Sequence, residues 1–72
     1  MKKQILETSR LHFQAHIQKH KTNIDIMLNN PMAIHDHTDL MTAIETELEH
    51  IAEYEDKLAV LVKYFINEQG KQ

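Results

Sequence analysis

Between Asp39 and Gln69 the apolar residues return at alternating steps of three and four: Met41, Ile44, Leu48, Ile51, then Leu58, Val62 and Phe65. An α-helix completes a turn every 3.6 residues, so this spacing stacks them on one face. The beat passes through Glu55, the one position where a carboxylate replaces an apolar side chain. Leu40, Tyr54 and Leu61 widen the stripe on one flank, and Glu47 falls inside that flank. Glu45, Glu49, Glu53, Asp56, Lys63 and Glu68 occupy the opposite face. The pattern predicts one long amphipathic helix over about 39–69, which must bury one side against a partner.

The rest of the chain is too short to supply that cover many times over. Its 72 residues make a single domain, near the lower limit at which a chain buries enough surface to fold alone. Such chains commonly rely on a staple, a metal or a partner subunit. Without cysteine there is no disulfide and no thiolate chemistry. One Gly and one Pro favour a few long helices over a sheet with tight turns. No apolar run approaches the length of a membrane span, and the N-terminus has no secretory signal, so a soluble, cytoplasmic protein is expected.

A second helix is predicted over about 2–29. Leu6, Phe13, Ile17, Ile24 and Leu28 form a narrow stripe, with Arg10 and His20 near it and Met27 at its margin. Leu11 and Ile26 fall well off the stripe, as exposed residues or as a second contact surface. Asn29-Asn30-Pro31 ends the helix: Pro31 has no N–H to donate and pushes Asn30 out of helical geometry. Asn29 or Asn30 can close it in the left-handed conformation. A turn over about 30–38 follows, with Thr38 expected as N-cap of the next helix, Asp36 as a competing cap, and Asp39 suited to the helix dipole. Gly70 reads as the stop.

Two helices of similar length with a short connection predict an all-α, antiparallel hairpin. Residues whose numbers sum to about 67 should lie level, which sets His20 beside Glu47 and His12 beside Glu55. A lone hairpin leaves half of each stripe open, so homo-oligomerisation into a helical bundle is expected, as a two-fold dimer or a larger closed ring. Phe13, Ile17 and Ile24, with Met41, Ile44, Leu48, Ile51, Leu58, Val62 and Phe65, are the expected oligomer interface. Charge is divided to match. Residues 1–30 carry Lys2, Lys3, Arg10, Lys19 and Lys21 against Glu7 and Asp25, whereas 39–68 carry eight acids against Lys57 and Lys63. The simplest consequence is attraction between the halves.

Six histidines in 72 residues invite a search for chemistry. His12, His16 and His20 follow at i, i+4 and i+8, a spacing that lets imidazoles of one face share a metal. Glu47 and His50 form a Glu-x-x-His pair of the kind used in di-iron bundles. A metal-binding bundle would thus use His16, His20, Glu47 and His50. Against it, helix one lacks the glutamate a di-iron site needs, and polar bonds at the bundle margin account for the same residues. The turn at His35, Asp36 and His37, with Asp39, is the other dense cluster and a candidate surface for a partner or ligand. Capping accounts for its acids, and those aspartates argue against a plain phosphate site. A small-molecule (nucleotide-type) sequestering oligomer would line pockets with Arg10, Tyr54, Tyr64 and the histidines.

Catalysis finds little footing. Ser9 is the only serine and has no glycine turn around it, and no Gly-rich phosphate loop can form. A non-catalytic protein without a cofactor is expected. Nucleic-acid binding by the basic first helix is disfavoured by the acidic second helix and the absence of a groove-reading module.

From Asn30 to Phe65 the chain resembles short uncharacterised helical proteins encoded by tailed bacteriophages. The likeness lies in Asn30-Pro31, Asp36-His37-Thr38-Asp39, Ile51-Ala52-Glu53-Tyr54, Asp56-Lys57-Leu58 and Tyr64-Phe65. It implies an accessory protein that acts in the bacterial host cytoplasm or is carried in the virion. The expected function is helix-mediated self-association and binding of a protein partner, either a host factor or a phage assembly component.

Overall fold

A computed structural model of the chain describes residues 1–30 and 37–67. Helix α1 spans Lys2–Asn29 and helix α2 spans His37–Leu61, continuing into a π-helical turn over Val62–Ile66. All described secondary structure is helical, and no described helix is long and apolar enough to cross a membrane.

No side chain caps α1. The Met1 carbonyl accepts from the Ile5 N–H at 3.0 Å, so the helix is taken up from the first residue. At its other end Asn30 leaves the helical region at φ −143° and ψ 58°, as a residue before proline is driven to do. Neither asparagine takes the left-handed conformation that could have closed the helix: Asn29 stays helical, and its Nδ2 donates to the Asp25 carbonyl at 2.8 Å. Helix α2 begins two residues before Asp39. Thr38 therefore lies within it and is not its N-cap, while Asp39 sits in the first turn. Each residue added to an existing helix gains a hydrogen bond, which favours this earlier start. The competing cap Asp36 and the stop at Gly70 lie outside the described residues.

The helices form an antiparallel hairpin. Contacts between them join Phe13 to Tyr54 and His20 to Glu47, whose numbers sum to 67, and Asn23 to Glu47, His16 to Tyr54 and His20 to His50, whose numbers sum to 70. A near-constant sum is the mark of antiparallel pairing. The expected pairing of His12 with Glu55 does not form among the described residues. His12 instead turns its ring edge to His16, at 4.4 Å between centroids.

The contact face of α2 is rotated from the stripe that its spacing suggests. Leu40, Ala43, Ile44, Glu47, Ile51, Tyr54, Leu58 and Leu61 are the described residues of α2 partly withdrawn from solvent, whereas Met41 is 71% exposed and Leu48 53% exposed. The flank has become the seam. Phe65 is displaced as well. A continuous α-helix would place it seven residues after Leu58 on the same line, but a π turn carries about 4.4 residues where an α turn carries 3.6. Phe65 is accordingly more than half exposed, and Ile66 takes the half-buried place.

The described residues of this hairpin form no dry core. Among the described residues no hydrophobic side chain is buried, and the single buried residue is His20, at 8% exposure. A compact chain of this length has a radius of gyration of about 11 Å, against 16.2 Å here, with overall extents of 54 × 16 × 14 Å. The molecule is a rod two helices wide. Leu11 and Ile26, off the stripe of α1, are both more than half exposed.

Candidate functional site

At mid-length the seam turns polar. His20 and Glu47 face each other across it, with Nδ1 of His20 2.5 Å from Oε2 of Glu47. Asn23, nearly one turn further along α1, donates from Nδ2 to Glu47 Oε1 at 2.9 Å. Both oxygens of a carboxylate at the centre of the hairpin are thereby bonded, which is how a charged group is kept where an apolar one was expected. Desolvation pushes the Glu47 carboxyl up, but the hydrogen bonds from His20 and Asn23, aided by the nearby His20 and His50 rings, outweigh it and hold the group below the usual carboxylate range.

Aromatic rings pack around this pair. His50 stacks on His20 at 4.6 Å between centroids, 19° from parallel. His16 stacks on Tyr54 at 4.5 Å and 17°, and Phe13 approaches the same tyrosine at 6.1 Å. Lys57 Nζ lies 5.2 Å from the Tyr54 ring centre, within cation–π range, while bonding Glu53 at 2.9 Å. His16 Nδ1 is buried and has no hydrogen-bond partner. An imidazolium must donate from both nitrogens, so this placement favours the neutral ring. Burial, followed by the charges of His12, Lys19, His20 and Lys57, holds His16 below the ordinary histidine value.

The four residues weighed as metal ligands, His16, His20, Glu47 and His50, thus do gather in one cluster. They gather as stacked rings and a hydrogen-bonded pair. Nearly parallel imidazoles direct their lone pairs side by side, not toward a common point. Among the described residues no group of three or more His, Asp or Glu side chains is placed to hold a metal ion.

The other candidates are scattered. Arg10 is held by both carboxylate oxygens of Glu7 on its own helix. Tyr54 belongs to the seam, but Tyr64 is more than half exposed, its ring under Lys63 Nζ at 5.1 Å. About 15 Å of helix separates the two tyrosines, so Arg10, Tyr54 and Tyr64 do not converge. The turn residues His35 and Asp36, and the side chain of His37, lie outside the described residues; Asp39 is exposed. A shallow apolar groove lined by Met41, Thr42, Ile44, Glu45 and Leu48 opens along α2.

Sequence spacing alone did not single out Asn23 as a partner of Glu47, nor the His16–Tyr54 and His20–His50 stacks. The signal was available in the register, because Asn23 follows His20 by three residues and so shares its face. No protein-family model, curated protein or solved structure matches the chain.

Proposed function

We propose that the chain is a non-catalytic interaction protein, which self-associates through its open helical faces and presents the resulting bundle to a protein partner. The observation that carries this reading is that no apolar side chain is buried among the described residues, while large apolar residues lie open on both helices. Apolar surface left in water forgoes about 25 cal/mol per Å², and a contiguous apolar face on a soluble protein ordinarily marks an interface. The polar seam supports a structural role. Its hydrogen bonds are spent between α1 and α2, and its rings stack on one another.

The partner belongs to a bacterial host or to a phage particle under assembly. The resemblance of residues 30–65 to phage-encoded helical proteins supports this, and it makes the host cytoplasm the place of action. The test is native mass spectrometry of the untagged protein. An integer multiple of the chain mass, with nothing retained, is the expected result. A monomer, or a retained nucleotide or metal ion, would contradict it.

A further inference from the structure

The two long edges of the hairpin differ. One edge carries the seam's rings, His12, His16 and His50, with Lys57. On the opposite edge Arg10 and Ile17 of α1 stand one heptad apart, with Lys21 and Leu28 on the same line; Met41, Leu48, Glu55 and Val62 follow at heptad intervals on α2. This second edge is the apolar one, and the groove along Met41, Ile44 and Leu48 runs in it, rimmed by Glu45. Lys21, Glu45 and Glu55 form no hydrogen bond or ion pair among the described residues, and all three are exposed.

We propose that this edge is covered by a second copy of the chain, laid alongside with its turn at the same end, so that α1 of each hairpin packs on α2 of the other in a two-fold four-helix bundle. The proposal rests on the self-association inferred above and adds the face, the stoichiometry and the orientation. Charge complementarity selects the orientation. With the turns together, residues of α1 lie level with those residues of the second copy's α2 whose numbers sum to about 67. Arg10, which also bridges Glu7 on its own helix, then lies level with Glu55, Lys21 with Glu45, and Leu28 with Met41. With the turns at opposite ends the two-fold axis crosses the helices and stacks α1 on α1, so with the axis at mid-helix Lys21 falls level with about Arg10 of the second copy and like charges face each other. Glu55, the carboxylate that interrupts the apolar beat, acquires a role in this arrangement. It fixes register against Arg10 as polar residues do in coiled coils.

The available area suffices. A 28-residue helix is about 42 Å long, and the rod is 16 Å across. One face therefore offers about 700 Å² per copy, and two copies bury an amount within the range of stable, specific interfaces.

The experiment is a spin-label distance measurement on Asn29→Cys, a chain whose only cysteine is the labelled one, with subunit number read from native mass. Diagonal helices of a four-helix bundle stand about 14 Å apart at interaxial distances of 8–10 Å, so labels with their linkers should lie within about 30 Å. Opposed turns would separate them by about 40 Å along the axis. A two-copy mass with the short distance is expected. The long distance, or a ring of three or more, would overturn the two-fold same-end bundle and leave self-association standing; a monomer would overturn both. Charge reversal supplies an independent check. R10E/K21E and E45K/E55K chains should each self-associate about tenfold more weakly than the parent and recover affinity on mixing. Unchanged association of both variants would overturn the pairing.

Discussion

His20 Nδ1 and Glu47 Oε2 lie 2.5 Å apart at the middle of a hairpin whose only buried residue among those described is that histidine. The helices meet through this hydrogen-bonded pair where a helical hairpin would ordinarily place leucines. Removing one member is therefore expected to cost more than removing both. In Glu47→Leu the buried His20 loses its acceptor, and leaving such a group unsatisfied costs about 1–3 kcal/mol. In His20→Leu/Glu47→Leu no polar atom of the pair remains to be satisfied, and most of the loss should be recovered. Chemical denaturation of the parent and the variants measures both effects. Equal stability of the single and double variants would contradict the assignment.

Acid should loosen the hairpin in two stages. His16 is held below the ordinary histidine value, so below about pH 6.5 the unfolded chain takes up a proton that the folded one resists, and stability falls. Glu47 is held below the ordinary carboxylate value. Its contribution is present above about pH 4.5 and disappears as the pH drops through the folded value. Glu7 and Glu53 are also lowered, mainly by bonds to Arg10 and Lys57, but those pairs are exposed and screened by salt. Melting followed by circular dichroism from pH 7.5 to 3.5 in high salt should retain both stages. In His16→Phe, which keeps the stack on Tyr54, the stage that begins near pH 6.5 should shrink.

Much of this architecture is legible in the sequence, and the parts that are not have physical reasons. Pro31 and the 3.6-residue period give two helices, and matched lengths give a register that sets His20 level with Glu47. The period does not say which flank of a wide stripe faces inward. Met41 and Leu48 fit it as well as Leu40 and Tyr54 do. The choice is made by particular pairings, Glu47 with His20 and Asn23, and Tyr54 with His16. His12 and Glu55 are level in number, yet they belong to opposite edges and do not meet. The π turn that moves Phe65 outward has no signature in residues 62–66.

Substitutions on α2 should separate the seam from the open face. Ile51→Asp places a charge against α1 and should lower both helicity and subunit number. Leu48→Glu acts on an exposed residue of the open edge, so its direct effect is on association; at high protein concentration it should retain more helix than Ile51→Asp. Sedimentation velocity paired with circular dichroism reads both quantities. If Ile51→Asp kept native mass and helicity, the hairpin seam described here would be wrong.

Self-association, as proposed, completes this hairpin by covering its open faces. When folding is coupled to association, stability depends on protein concentration by mass action. The most direct test is the melting temperature of the untagged protein across a hundredfold range of concentration. A melting temperature that climbs with concentration, together with a multimeric mass, is predicted. A melting temperature that stays constant, with the mass of a single chain throughout, would show that the hairpin stands alone and contradict the account.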